Sequence, residues 1–189
     1  MHLKKIVSLF VIGISTLALG QTDSLPQSIS KMNISGPRMG MTGVIDNGTF
    51  YNELVKRGGK RIYSQFGWHF EYKSAPVGNA PSFVVEVIPL IGGLEYGLAI
   101  PSVSLPIGIR LQNGFEVGMG PNLVFSEKKS EDGSGIQINS SVVFAAGKTF
   151  NYYGVGLPVN LAFSNGKGGY ALSLIVGYAI AQSREVKSF

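Results

Sequence analysis

The stretch Gln65-Phe66-Gly67-Trp68-His69-Phe70-Glu71-Tyr72-Lys73 decides the fold of this 189-residue chain. An aromatic side chain occurs at every second position from Phe66 to Tyr72, and polar or small residues fill the positions between. Side chains of a β-strand point alternately to opposite faces, so this period of two predicts a strand with one aromatic and one polar face. An amphipathic helix would instead repeat its apolar positions about every 3.6 residues.

The same alternation recurs along the chain, and clusters of Gly, Asn, Asp, Ser and Lys separate the segments. Repeated alternating segments of about ten residues are typical of transmembrane β-barrels. We therefore predict an all-β fold, a closed antiparallel up-and-down barrel of about eight strands. The predicted strands are residues 36–44, 63–73, 82–92, 98–110, 115–125, 135–147, 152–163 and 169–180.

The two ends of the chain differ from this barrel region. Residues 1–20 carry Lys4 and Lys5, then an apolar run, then the small-residue ending Ala18-Leu19-Gly20, which predicts a secretory signal peptide. Residues 21–35 are predicted to be a periplasmic segment, residues 36–182 the barrel and residues 183–189 a tail. With no cysteine in the chain, disulfides, a lipoprotein type of signal and Cys-ligated metals are excluded.

Charge and hydropathy exclude further classes. Removing residues 1–20, which hold two lysines and no acid, lowers the formal net charge from +5 to +3. That charge is too small, and too dispersed, to indicate a nucleic-acid partner. Beyond the signal peptide no run of about eighteen apolar residues occurs, so a helical membrane span is not expected. Any membrane crossing must use strands.

Charge placement indicates which face lies inside. Six charged residues fall within the predicted strands, all on the non-apolar face, and their charges sum to zero: Arg38, Glu71, Lys73, Glu86, Arg110 and Glu116. Otherwise that face carries mostly Gly, Ser, Asn, Gln and Ala, whereas strands six to eight carry no charge. Unpaired buried charges are costly, so we predict a plugged, self-neutralised lumen and not a pore. The predicted polar network comprises Arg38, Gln65, His69, Glu71, Lys73, Glu86, Arg110, Glu116, Asn122 and Asn160.

The connections should alternate between long external loops and short periplasmic turns. The predicted loops are residues 45–62, 93–97, 126–134 and 164–168, and the predicted turns are 74–81, 111–114 and 148–151. Gln112-Asn113-Gly114 is a strong tight-turn signal. Proline removes a ladder donor, so prolines in or beside predicted strands should mark bulges or strand ends. There are five of them: Pro89, Pro101, Pro106, Pro121 and Pro158.

Four stretches carry a family resemblance: residues 65–71, 87–97, 114–123 and 157–162. They resemble the small outer-membrane β-barrel proteins of Bacteroidetes-type bacteria, similar in build to the eight-stranded OmpA and OmpX type. The resemblance implies an outer-membrane location, outer-membrane lipid and lipopolysaccharide as surroundings, and delivery by the barrel-assembly machinery. It supplies no catalytic residues. Either the terminal Phe189 or the Leu174, Val176 and Tyr178 positions would serve as the assembly signal.

Candidate chemistry is sparse. His69 is the single histidine of the mature chain, which excludes a two-histidine metal site. Small-barrel lipid-A deacylases place a serine two positions after their histidine, whereas this chain has Glu71 there. We therefore expect no enzyme activity, no cofactor and no metal.

The first predicted loop carries the basic cluster Lys56-Arg57-Gly58-Gly59-Lys60-Arg61, which could contact lipopolysaccharide phosphates or be a solvated loop. Residues 49–56 beside it predict a short helix over the barrel mouth.

Three functional hypotheses remain open. The first is a non-enzymatic, monomeric outer-membrane barrel with a structural or recognition role through its external loops. The second is a lipid-modifying outer-membrane enzyme that uses His69 and nearby carboxylates. The third is a soluble periplasmic, lipocalin-like lipid carrier with the same strands and exchanged faces.

Overall fold

A computed structural model describes residues 33–74, 80–130, 133–153 and 155–180. The predicted signal peptide, most of the predicted periplasmic segment, the predicted tail and Phe189 lie outside these ranges. The described strands are β1 Gly36–Val44, β2 Ile62–Lys73, β3 Ser82–Gly92, β4 Ile100–Ser104, β5 Ile107–Arg110, β6 Phe115–Ser130, β7 Gly133–Tyr152, β8 Val155–Gly166, β9 Gly169–Gly177 and β10 Ala179–Ile180. Helix α1 spans Thr49–Lys56, and a 3-10 helix spans Leu94–Tyr96. No helix of the described residues is both long and apolar enough to cross a membrane.

Sequential antiparallel pairing closes the strands into a barrel. β1 pairs with β2 on one side and with β9 on the other, so the sheet joins its own first and last strands. β4 and β5 lie in line between β3 and β6, and β9 and β10 lie in line beside β8. The ten segments therefore form eight strands, which confirms the predicted fold class.

Prolines interrupt ladders without shifting their register. Pro106 separates β4 from β5, yet its carbonyl accepts the Glu86 N–H at 3.0 Å, and Leu105 N–H donates to the Pro121 carbonyl at 2.9 Å. Pro89, Pro121 and Pro158 lie inside β3, β6 and β8. The expectation of bulges or strand ends is therefore wrong for these three, because the barrel tolerates the loss of single donors.

The predicted loop at residues 126–134 is also wrong. β6 continues to Ser130 and β7 begins at Gly133, and the two strands stay paired to that point. The β4 ladder on β6 ends at Val124, and the β8 ladder on β7 ends at Ser141. Residues 125–130 and 133–140 thus form an arm that extends the hairpin past the neighbouring strands. We call it the β6–β7 arm. Partner-strand hydrogen bonds can extend a strand through hydrophilic residues, which polarity alone does not reveal.

The remaining connections correct several predicted boundaries. Residues 148–151 belong to β7, which turns at Tyr153, where φ is +49°. Lys148 therefore lies in a strand, with Thr149 beside it facing inward, so the prediction of no charge in strand six is wrong. Residues 167–168 alone join β8 to β9, against a predicted loop of 164–168. This connection was predicted to be a long external loop, so its two-residue length breaks the predicted alternation of long loops and short turns.

The tight turn at residues 112–114 forms as predicted. Leu111 N–H donates to the Phe115 carbonyl at 2.7 Å, and Gly114 N–H donates to the Leu111 carbonyl at 3.1 Å. Gly114 has φ +81°, a left-handed conformation that glycine adopts without steric cost. This turn places Arg110 and Glu116 opposite one another on β5 and β6.

Helix α1 covers the end of the barrel at which β1 finishes, here called the loop end. Its Leu54 is buried against Val44, Tyr63, Leu98 and Ile100. The other end, where β1 and β6 begin, is called the terminal end. The predicted short helix over the barrel mouth is confirmed with the same bounds, because its apolar side chain completes a core that the strands leave open.

Candidate functional site

The interior of the barrel is its candidate functional site, and it divides into two layers. Alternation along each strand sends polar side chains inward and large apolar ones outward: Gln65 and His69 are 7% and 3% exposed, whereas Phe66 and Phe70 are 45% and 52% exposed. The charged layer, near the terminal end, comprises Arg38, His69, Glu71, Lys73, Glu86, Arg110 and Glu116. The polar chamber, near the loop end, is lined by neutral hydroxyl and amide side chains.

Arg110 is the centre of the charged layer. Its side chain is fully buried, and Nη2 lies 2.5 Å from Glu71 Oε2 and 2.6 Å from Glu116 Oε2. Its Nε donates a second hydrogen bond to Glu116 Oε2 at 2.7 Å. Charge-assisted hydrogen bonds of this kind offset the large cost of removing the ions from water. The β5–β6 turn sets the Arg110–Glu116 pair, because the two residues are direct cross-strand partners.

A second chain of contacts links Arg38, His69 and Glu86. Arg38 Nη2 donates to His69 Nδ1 at 3.0 Å and to the Ile34 carbonyl at 2.7 Å. His69 Nε2 lies 3.0 Å from Glu86 Oε1. His69 Nδ1 also lies 3.2 Å from the Ile34 carbonyl, so the imidazole is held between Arg38 and this carbonyl on one side and Glu86 on the other. His69 thus bridges the Arg38 guanidinium and the Glu86 carboxylate.

The charged layer also has peripheral members and three buried atoms without a hydrogen-bond partner. Asn160 Nδ2 donates to Glu116 Oε1 at 2.8 Å, and Lys73 Nζ lies 3.9 Å from Glu71 Oε1. Within the described residues, the three atoms without a hydrogen-bond partner are Glu71 Oε1, Glu86 Oε1 and Arg110 Nη1. A cavity of about 50 Å³ borders this layer on the chamber side.

The charged layer contains one possible set of metal ligands. His69, Glu71 and Glu86 offer ligand atoms that lie within 4.8 Å of one another. Arg110 Nη2, however, sits 2.5 Å from Glu71 and 3.7 Å from Glu86, where a cation would be held. The donor set fits an internal arginine better than a metal ion.

The same contacts bear on catalysis. A nucleophile requires a hydroxyl or thiol within hydrogen-bond reach of the base. In the described part of the chain, the polar contacts of His69 are to Arg38, the Ile34 carbonyl and Glu86, and none is to a hydroxyl group. This arrangement orients the imidazole but gives it no group to activate.

The polar chamber is a cavity of about 90 Å³. Its hydroxyl and amide side chains include Thr42, Gln65, Ser102, Ser104, Asn122, Asn139, Ser141, Ser164 and Ser173. Thr42 Oγ1 donates to Gln65 Oε1 at 2.6 Å and lies 2.6 Å from Ser173 Oγ. Ser104 Oγ donates to Asn122 Oδ1 at 2.9 Å. None of the residues that line the chamber is charged.

The mouth above the chamber is closed by α1 and its flanking loops. Phe50 N–H donates to the Gly168 carbonyl at 3.1 Å, which ties α1 to the β8–β9 turn. Arg61 donates to the carbonyls of residues 44–46, and its guanidinium stacks 4.1 Å from the Tyr51 ring. One residue of the basic cluster therefore holds the loop in place and is not free to bind phosphate.

Glu95 lies on the outer side of this mouth. It accepts hydrogen bonds from the Ser64 N–H and Oγ, each at 2.6 Å. Slight burial raises the pKa of Glu95, but the Ser64 hydrogen bonds outweigh that effect and hold the pKa below its ordinary value. The charge fixes the 3-10 helix against β2.

The ten residues of the predicted network all lie on inward positions, but they do not form one network. Gln65 and Asn122 belong to the chamber, where they contact Thr42, Ser104 and Ser141. The other eight belong to the charged layer or border it. The sequence prediction missed the chamber hydroxyls, although the period of two places Thr42 and Ser102 on the inner face.

No family model, curated protein or solved structure matches the chain.

Proposed function

We propose that this chain is an integral outer-membrane β-barrel with a closed polar lumen, and that it serves envelope structure or recognition through its loop end. In this proposal it is a non-enzymatic relative of the small OmpA and OmpX type of barrel found in Bacteroidetes-type bacteria. Its surroundings are outer-membrane lipid and lipopolysaccharide, and the barrel-assembly machinery inserts it.

The distribution of apolar side chains over the outer wall carries the proposal. Large apolar residues that are more than one-third exposed occur on almost every strand, including Met41, Trp68, Phe83, Ile107, Met119, Phe144, Phe163 and Leu174. The charged layer lies inside and the large apolar side chains lie outside, which is the reverse of the arrangement in a soluble protein. An apolar patch that surrounds a whole molecule marks a membrane surface.

The height of this apolar belt suits a bilayer. On β6 the outward positions run from Phe115 to Phe125, about ten residue steps of about 3.4 Å each. At the usual strand tilt of about 40°, that length rises about 26 Å, close to the roughly 25 Å of known barrel belts. The belt therefore matches the hydrocarbon thickness.

Aromatic side chains lie at both borders of the belt. Phe163 and Tyr170 stack with centroids 6.0 Å apart near the loop end. Tyr152 and Tyr153 contact edge to face at 4.7 Å at the terminal end, where Lys148 also lies over Phe150. Aromatic girdles with snorkelling lysines are the ordinary border of a membrane-embedded surface.

The interior disfavours the other hypotheses. A lipid carrier needs an apolar cavity of several hundred Å³, whereas the chamber holds only about 90 Å³. Eight strands enclose only enough space for side chains, and the charged layer fills the terminal half, which argues against a pore. Among the described residues no hydroxyl group contacts His69, which argues against a lipid-modifying enzyme.

Fractionation of the native host tests the location directly. We expect the protein to remain with outer membranes after carbonate or urea extraction, and to migrate faster in an unboiled gel than in a boiled one. Recovery in the soluble periplasm would contradict the proposal, because a membrane-embedded barrel stays in the membrane fraction.

A charge placed on the belt tests the wall. Met119 is 52% exposed near the middle of the β6 belt, so Met119→Lys should destabilise the folded barrel in bilayers by about 2–4 kcal/mol. Ile136→Lys is the matched control, since Ile136 is also exposed but lies on the β6–β7 arm, and we expect about 0–1 kcal/mol there. Urea titration in lipid vesicles measures both. Equal losses of unfolding free energy in the two variants would contradict the proposed membrane location.

A further inference from the structure

The polar chamber presents hydrogen-bonding groups to its cavity for which the described residues supply no partner. Ser102 is 6% exposed and lines the cavity, and no hydrogen bond to its hydroxyl is found among the described residues. Gln65 is 7% exposed, and its Oε1 accepts from Thr42 while its Nε2 amide lacks a partner in the same part of the chain. Buried polar groups of this kind are normally satisfied by water or by a ligand.

We propose that the polar chamber is a binding site for a small neutral polyol or sugar fragment. Hydroxyl groups can both donate to and accept from Ser102, Gln65 and Asn122. The Phe50 and Tyr63 rings, which meet edge to face at 6.3 Å, offer apolar wall to the C–H groups of such a molecule.

Size and charge select this ligand class. At roughly 10–15 Å³ for each water-sized unit, the cavity of about 90 Å³ admits only a molecule of a few carbon and oxygen atoms. An ion would lose its hydration without meeting a countercharge, since no lining residue is charged. A lipid or an aromatic ligand is too large and would leave the hydroxyl groups unsatisfied.

Helix α1, which contributes Phe50 to the chamber wall, is the part of the mouth that can move to admit a ligand. The helix has eight residues, of which only Leu54 is buried, and glycines flank it at Gly48 and at Gly58-Gly59. A helix this short is held by its packing and not by its own stability, so it can lift as a unit. The site therefore opens toward the loop end. This inference does not depend on the membrane proposal, because the chamber lies inside the barrel in either location.

Equilibrium dialysis with radiolabelled erythritol tests the site on the full folded chain in detergent. We expect saturable uptake of one molecule per barrel in the millimolar range. Ser102→Val and Gln65→Leu should each weaken it about tenfold, the effect of one lost hydrogen bond. Asn165→Leu is the matched control, since Asn165 is exposed on β8 and does not line the chamber, and it should leave uptake unchanged. The unboiled-gel mobility verifies that each variant is folded.

Two outcomes overturn the site. Uptake that does not saturate would show that the chamber holds water alone. Saturable uptake that survives both chamber substitutions would place the bound erythritol elsewhere.

A cross-link tests the entrance, using the absence of native cysteine. A Cβ added at Gly168 would lie 3.2 Å from the Phe50 Cβ, slightly closer than the roughly 3.5–4.5 Å of disulfides, so the pair Phe50→Cys and Gly168→Cys can be bridged after a small shift. We expect oxidation to slow erythritol entry at least tenfold, and reduction of the same sample to restore it. Equal entry rates in the two states would overturn α1 as the entrance.

Discussion

The charged layer and the polar chamber are enclosed by the same barrel wall, but side chains fill the lumen in the charged layer and leave a cavity in the chamber. On β2, His69 and Glu71 belong to the charged layer, whereas Tyr63 and Gln65, four to eight residues earlier, face the chamber. Arg and Glu side chains are long enough to meet across the lumen and close it. Serine and threonine side chains contact those of neighbouring strands but are too short to meet across the lumen, so the same wall leaves a cavity of about 90 Å³. Side-chain length, and not polarity alone, determines where the lumen is open.

Removing the central ion of the charged layer should have the largest effect. Arg110→Met leaves Glu71 and Glu116 buried without their partner, which should cost about 3–5 kcal/mol of unfolding free energy. Urea unfolding followed by gel mobility measures this loss. Adding Glu71→Gln and Glu116→Gln to the same chain should restore much of it, because the uncompensated charges are removed. A loss below about 1 kcal/mol would show that the layer is open to water and resembles the chamber.

Removing the apolar contact above the chamber should have the next largest effect. Leu54→Ala deletes a buried side chain that packs on Tyr63 and Ile100, and should cost about 2–3 kcal/mol. The same change should speed proteolysis within α1, which limited digestion followed by mass spectrometry would detect. Val55→Ala, at an exposed position of the same helix, is the control and should change little. If both variants behave alike, α1 does not close the mouth.

Removing a hydrogen bond inside the chamber should have the smallest effect. Thr42→Val keeps the side-chain shape but removes the contacts to Gln65 and Ser173, and we expect a loss of about 1 kcal/mol. Water in the chamber can replace the lost hydroxyl, which no solvent can do for Arg110. The measurement is the same urea titration. A loss as large as that of Arg110→Met would erase the distinction between the two layers.

Most of the fold could be predicted from the sequence because strand alternation is a local signal. The stretch from Gln65 to Lys73 identifies strand, face and period without any tertiary information. The β6–β7 arm could not be predicted in this way, because residues such as Lys128 and Lys129 are hydrophilic and join a strand only through the ladder to β7. Strand ends depend on the partner strand, which a single segment does not encode.

The candidate site was predictable only in outline. The period of two places Arg38, His69 and Glu86 on one face, but not in contact. The contact of Arg38 with His69 depends on register between β1 and β2, and that of His69 with Glu86 depends on side-chain reach across to β3. The chamber has still less signal, since serine and threonine are common in any strand of a small barrel. Its existence depends on how several short side chains leave space between them.

The β6–β7 arm has a practical consequence. Ser130 and Gly133 lie at its tip, beyond the ends of β4 and β8, so a peptide inserted between them would not touch the closed wall or either lumen layer. Hairpin tips accept insertions when no packed backbone is disturbed. In the proposed orientation this position would display a foreign epitope on the cell surface, and antibody staining of intact cells would reveal it.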